Sequence, residues 1–600
     1  MTGPHYLTAA AIGRRNRAIG AWVLHVPQRL RALVRADEIW LVVLAALLGL
    51  AAGLCVSAMS DITQAMHRLL FALGPHERLS GQAAVAAWRA LAMPTAGGLL
   101  MGLSLLAVAR WWPRRPIDPI EANALYGGRM SLKDSLVLVG QTMLSNGSGA
   151  SVGLEAGYAQ IGAAIASRTG WGFRLRRNDL RVLVGCGTAA AIAAGFNAPL
   201  TGAFYAFELV IGTYSLATLA PVVVAAISGV SVVRMLIPGE YGLDISAPTV
   251  IEPTAYLPIL ALGMLCALGG IAIMRGVTLT EDVFRRSGVP VWARPAIGGL
   301  IVGLLALITP QVLSSGHAAL QVGLDAPYSM QHIALLILLK SVASAVSIGA
   351  GFRGGLFFAS LFLGALVGKL FAAGLAVVTM TSSVPPLLCA IVGMSALAVA
   401  VVGGPLTMAF LALESTGSLP MTVAVLAAAV VSSLTVRRTF GYSFATWRFH
   451  LRGEAIRSAV DIGWMRSLTV GRMMRPEIRT VRADTTLAAF RRDFPLGATA
   501  RVVVVDEAAR YAGIVLLAEA HAVDCKAATL AELLHYQSDM LLPQMTIKEA
   551  VTMFEQAESD ALAVVDNGET RLVLGLLTEQ YALRRYSEEL ERRRRELSGE

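Results

Sequence analysis

The chain has 600 residues, 55% of them apolar and 15% charged, and its mean hydropathy is +0.62. That is too oily over too great a length for a water-soluble globular protein, so a membrane-built chain is expected. The net charge of +10 does not call for nucleic acid, because the arginines flank apolar segments (Arg114 and Arg115; Arg174, Arg176, Arg177 and Arg181; Arg437 and Arg438) as cytoplasmic loops do under the positive-inside rule.

Residues 1–37 hold two basic clusters, Arg14, Arg15 and Arg17, then Arg29, Arg31 and Arg35, without the short apolar core and small-residue cleavage site of a signal peptide. A basic cytoplasmic segment is predicted there, and with it an inner-membrane protein with both termini in the cytosol. Apolar runs of about twenty residues, enough to cross a hydrocarbon core, fill roughly the span 38–437 of a membrane domain expected over 38–450. The first are Glu38 to Met59 and Val85 to Trp112, the second broken by Pro94, Gly97 and Gly98. Between 131 and 212 the runs shorten and are interrupted at Gly147 to Gly157 and Gly195 to Gly202, and the same happens at Gly349 to Gly368 and Gly403 to Pro405. Paired interrupted helices in two halves of a membrane chain point to a midplane site built from broken helix ends.

The halves can be aligned. Pro199-Leu-Thr-Gly-Ala-Phe-Tyr-Ala-Phe-Glu208 matches Pro405-Leu-Thr-Met-Ala-Phe-Leu-Ala-Leu-Glu414 at an offset of 206, with seven of ten positions identical. A weaker pair, Gly153-Leu154 to Gly162 and Gly355-Leu356 to Gly364, lies at an offset of 202. The reading is an all-α polytopic membrane domain with broken helices and an internal repeat, about 38–245 and 255–450, expected to be inverted.

From 451 to 600 the pattern changes to two strand-turn-strand units, each preceded by an amphipathic helix: Thr485 to Phe494 before Arg501–Asp506 and Tyr511–Leu516, and Thr546 to Gln556 before Ala561–Asp566 and Leu572–Leu577. Two small α/β modules, about 470–522 and 528–588, are predicted. The cysteines are widely spaced and mostly in apolar stretches, and the histidines show no metal-like spacing, so no disulfide or metal chemistry is assigned.

Glu155 is the informative residue: it is the only acid between Ser135 and Ser167 and lies between Gly153 and Gly157. Intramembrane carboxylates act as gates, proton carriers or ion ligands, and the flanking glycines let backbone N–H groups approach an anion at a broken helix start. Glu208 and Glu414 read instead as structural helix-end carboxylates satisfied by backbone N–H groups, since each is the other's repeat mate.

Gly153-Leu154-Glu155-Ala156-Gly157 resembles the Gly-Arg-Glu-Gly-Pro segment of the CLC chloride channel and transporter family, and Phe196-Asn197-Ala198-Pro199-Leu200 is similar to the family's next segment. Gly355-Leu356-Phe357-Phe358 resembles its Gly-x-Phe-x-Pro segment, Pro119 to Leu125 the helix after its first selectivity motif, and the tail a pair of CBS modules. The resemblance implies anion transport, with Glu155 as gate, Gly153, Leu154, Ala156, Gly157, Gly355, Leu356, Phe357 and Phe358 around a bound chloride, and a homodimer in membrane lipid. Three departures qualify it. Pro116 stands where the family's serine hydroxyl faces the central anion, as in members that prefer nitrate. Ala445 aligns with the pore tyrosine, with Tyr442 three residues away. Leu209 occupies the place of the exchangers' inner glutamate, so channel-like conduction is expected, with an anion/proton antiporter as the alternative. In the tail, Gly575-Leu-Leu-Thr578 supplies half of a nucleotide motif, but Tyr581 stands where its acid belongs; an adenosine nucleotide is a second expectation behind a structural role. The sequence offers no nucleophile-base pairing for an intramembrane enzyme, and a membrane part serving only to anchor a sensor would not need duplicated broken helices.

Overall fold

The computed structural model describes residues 38–75, 77–236, 250–326, 328–379, 384–444, 446–447, 469–476, 478–497, 499–522, 527–585 and 587–588. The predicted segment 1–37, the distal ends of both repeats and Ala445 lie outside them. The chain divides into two compact units, with the boundary between Asp461 and Ile462.

Sixteen α-helices are described in the first unit. The first half holds α1 (Glu38–Phe71), α2 (Ala87–Trp111), α3 (Pro119–Leu125), α4 (Leu132–Gly147), α5 (Glu155–Gly172), α6 (Arg177–Phe196), α7 (Pro199–Tyr205), which runs on as a π turn over Ala206–Ile211, and α8 (Leu216–Leu236). The second holds α9 (Tyr256–Arg286), α10 (Arg294–Ala306), α11 (His317–Asp325), α12 (Met330–Ala350), α13 (Phe357–Thr379), α14 (Pro386–Val402), α15 (Pro405–Thr416) and α16 (Leu419–Thr439). Each helix of the second half begins 198 to 218 residues after its mate in the first. Eight of the described helices are long and apolar enough to cross a membrane, four from each half. Two expectations need correction. The first helix runs on to Phe71, and α2 passes through Pro94 without a break. Proline removes one ladder donor there, and the carbonyl of Leu91, in the same turn, takes a hydrogen bond from the Thr95 hydroxyl at 2.6 Å.

The contacts between the two halves are reciprocal. A Cβ on Gly98 would strike the carbonyl of Pro295, and one on Gly299 that of Pro94, so α2 and α10 cross at backbone distance. Gly153 and Gly355 form an antiparallel bridge, each amide donating to the other's carbonyl, at 2.9 and 3.1 Å. The Glu208 carboxylate accepts from the amides of Leu406 (3.0 Å) and Thr407 (2.8 Å) and from the Thr407 hydroxyl (2.6 Å). The Glu414 carboxylate accepts from the amides of Leu200 (2.7 Å) and Thr201 (2.9 Å) and from the Thr201 hydroxyl (2.7 Å). Each acid thus neutralises the orphan first-turn donors of the other half's helix, where a negative charge also suits the helix dipole.

Within each half the packing repeats too. Gly162 on α5 and Gly187 on α6 each sit against the other's carbonyl, and Gly364 on α13 and Gly393 on α14 do the same, so a side chain at any of these positions would force the helices apart. The breaks have local causes. Asn197 ends α6 in the left-handed region (φ 56°) before Pro199 opens α7, while Gly403 and Gly404, at φ 92° and 75°, separate α14 from Pro405 of α15.

The second unit holds the two predicted modules. In the first, β1 (Thr480–Arg482) pairs parallel with β2 (Arg501–Val505), which pairs antiparallel with β3 (Tyr511–Leu516), behind helix Leu487–Asp493. In the second, helix Ile547–Ala557, opened by a Thr546/Glu549 capping box, precedes the antiparallel pair β4 (Ala561–Val565) and β5 (Val573–Thr578). The duplication extends to detail: a register shift falls between Val504 and Val505 and again between Val564 and Val565, and Asp506 and Asp566 close the two turns by accepting backbone N–H bonds.

Candidate anion pathway around Glu155

Glu155 opens α5 and is 4% exposed. Its Oε1 accepts from the amide of Phe358, the second residue of α13, at 3.1 Å, while Oε2 is buried without a hydrogen-bond partner among the described residues. The carboxyl lies directly on the backbone of Gly153, where any Cβ would overlap it, and Oε2 would be 3.0 Å from a Cβ on Gly355. Glycine at both places leaves room for the carboxylate between two helix starts.

That carboxyl lies between two cavities and lines both. The larger, about 310 Å³, is bordered by Pro116, Ala156, Tyr205, Leu209, Leu356 and Phe357, among others. The smaller, about 90 Å³, is bordered by His67, Asn146, Leu154, Ser314, His317 and Phe358 beside Glu155. The fully buried Lys340 of α12 donates to the carbonyls of Val312 (3.1 Å) and of Ser314 (2.8 Å), the latter a residue that borders the smaller cavity. No motif or repeat in the sequence singles this lysine out.

The predicted anion-binding residues divide accordingly. The amides of Ala156, Leu356 and Phe357 have no acceptor among the described residues and border the larger cavity, so they can donate to an anion. The amides of Gly153 and Gly355 cannot, because the bridge between them uses both. Phe358 gives its amide to Glu155. Gly157 faces Met59 and Thr142 and lines neither cavity, so its part is packing. Pro116 borders the larger cavity and brings no donor to it, and Leu209 borders it as an apolar wall. Tyr442 borders neither; its ring lies 5.6 Å from that of Trp447, and Phe444 reaches the cavity in its place. The expectation for Tyr442 is corrected on that ground. Arg115 and Arg353 also border the larger cavity, as do Asp118, which caps α3 by accepting from the amide of Ile120 at 2.8 Å, and Glu121, paired with Arg115 at 2.8 Å.

Residues 97–437 match the family model described as voltage gated chloride channel. The chain belongs to that family. A further match, to the CBS domain, covers residues 538–588 and so the second of the two C-terminal modules. A putative chloride channel protein, ClcB-like, from Ralstonia nicotianae is 32% identical over 357 residues, 59% of this chain and 83% of the relative. The voltage-gated ClC-type chloride channel ClcB of Escherichia coli is 30% identical over 353 residues, 58% of this chain and 84% of the relative. Among solved structures, a slow cyanobacterial Cl⁻/H⁺ antiporter superposes with a TM-score of 0.59 at 22% identity, covering 69% of this chain and 97% of the other. A eukaryotic CLC transporter gives 0.59 at 19% identity and covers 92% and 98%. At these identities the likeness is one of fold. Family membership and the apolar helices make this an integral membrane protein.

Proposed function

We propose that anion transport by this chain, the activity of its family, is channel-like conduction of chloride, with nitrate as a second permeant ion, gated by the Glu155 carboxylate. The observation that carries the reading is that, among the described residues, Glu155 alone borders both cavities, so that an anion passing between them must displace or neutralise its side chain. Leu209 supports the absence of proton coupling: it presents an apolar wall to the larger cavity, and a proton crossing hydrocarbon needs ionisable groups or water on both sides of the gate. With equal anion on both sides of a bilayer and a proton gradient of about tenfold, the reversal potential is expected near zero. A shift toward the proton potential would place the protein among the antiporters.

The assembly we propose is a homodimer in the inner membrane, with both termini and the second unit in the cytosol. Exposed Leu419, Val423, Val430 and Leu434 along α16 support a face turned to lipid or to a second copy. For the second unit a structural, dimer-forming role is favoured over an adenosine nucleotide site, because Tyr581 packs on the core of the second module where the nucleotide motif wants an acid. Light scattering in mild detergent is expected to give two protomers, with the same mass and no bound nucleotide after addition of ATP. A monomer would count against the assembly, and retained ATP against the structural role.

A further inference from the structure

Among the described residues that line the larger cavity, three carry neutral hydroxyls: Thr142, Thr188 and Tyr205. The first two are committed: Thr142 donates to the carbonyl of Leu138 and Thr188 to that of Val184, each at 2.9 Å and one turn back in its own helix. The Tyr205 hydroxyl makes no hydrogen bond with any described residue. Its ring is held at the end of α7, where the helix passes into the π turn, with its centroid 6.2 Å from that of Phe357, whose amide is one of the unpartnered donors. A neutral phenol with a free O–H is a donor at any physiological pH, and here it shares a cavity with the Leu356 and Phe357 amides and with Pro116, which has no donor to offer.

We infer that Tyr205 is the side-chain ligand of the conducted anion: its hydroxyl donates to a monovalent anion, chloride or nitrate, held in the larger cavity against the Leu356 and Phe357 amides. Pro116 on the same wall has no donor, and Tyr442 does not border the cavity. Arg115 and Arg353 raise the local potential, and Asp118, Glu121 and Glu155 offset them, so a net positive charge does not select the ion; the directed O–H does. The inference rests on the conduction reading for the identity of the ligand and on cavity geometry for the residue.

The test is calorimetric titration of chloride, and separately nitrate, into the purified full-length protein in a buffer free of both. Wild type is expected to bind, and Tyr205→Phe, which removes one oxygen and keeps the ring, to bind about tenfold more weakly, the loss of one hydrogen bond to a charged group. Tyr205→Leu, which installs the side chain of its repeat mate Leu411, is expected to show at least the same loss, and a monodisperse elution profile establishes that either variant is folded. Tyr214→Phe, whose ring packs on Phe204 and Phe207 away from both cavities, should bind as wild type does. Binding by wild type with no change in a folded Tyr205→Phe or Tyr205→Leu overturns this inference and leaves the conduction reading standing. A wild type that binds neither anion overturns both.

Discussion

Glu155→Ala is expected to raise chloride flux in liposomes by about tenfold and to abolish its dependence on pH. In the wild type the carboxylate sits between the two cavities, tied to the Phe358 amide by one oxygen, with the other unpaired among the described residues. Alanine removes both the plug and the charge. A barrier change of about 1.4 kcal/mol is enough for tenfold, and it is a small share of the repulsion an anion meets from a fixed carboxylate a few ångströms away in a medium of low dielectric. Glu155→Gln separates the two contributions: it removes the charge while keeping the volume and an oxygen for the Phe358 amide. Its flux should therefore resemble that of the wild type in acid, where the carboxyl is neutral, at every pH. Flux and pH response in Glu155→Ala equal to those of the wild type would remove this residue from the gate.

Glu414→Ala and Glu208→Ala are expected to lose about 3 kcal/mol or more of stability each, read as a lowered unfolding midpoint in detergent and a lower yield of intact protein. Each substitution leaves two amides and a hydroxyl without their acceptor at a partly buried helix start. Because the contacts are reciprocal, the two variants should suffer alike, and neither effect should require a change in anion binding. An unchanged midpoint in either would show that the carboxylates do not clamp the halves together.

These two sites also show what a sequence can and cannot convey. Glu155 is legible because a single acid in a long apolar stretch is costly to keep unless it serves the passage of ions or protons, and Glu208 with Glu414 because the repeat carries both. What the repeat does not convey is that each acid serves the opposite half, since its partners are 198 to 214 residues away. The same blindness affects Gly153 and Gly355. Glycines beside a carboxylate suggest free amides, but whether an amide is free depends on what the fold brings opposite it, and here the fold brings the other glycine. Tyr205 is hidden for a different reason. An aromatic in an apolar helix reads as core, and only its being one of three departures between the two ten-residue repeats, with Leu411 as mate, sets it apart. Lys340 has no such mark, because its partners are loop carbonyls. Helix ends are set by capping geometry, and α1 runs twelve residues past its apolar run because its last three turns are amphipathic and still pack.

The reciprocal contacts have the form of an interface between two identical chains, in which residue i meets j and j meets i. Two identical chains would be bound to present the same group twice at the axis. At the offset of 202 the counterpart of Glu155 is Phe357, and a strict dimer bearing glutamate in both places would set two carboxylates against one another across a short bridge, where like charges cannot both ionise. Joining the copies into one polypeptide lifts that restriction. One half can keep the acid while the other keeps only the amides that face it, so the passage acquires a polarity, an end with a charge and an end with donors, that no symmetric pair could possess.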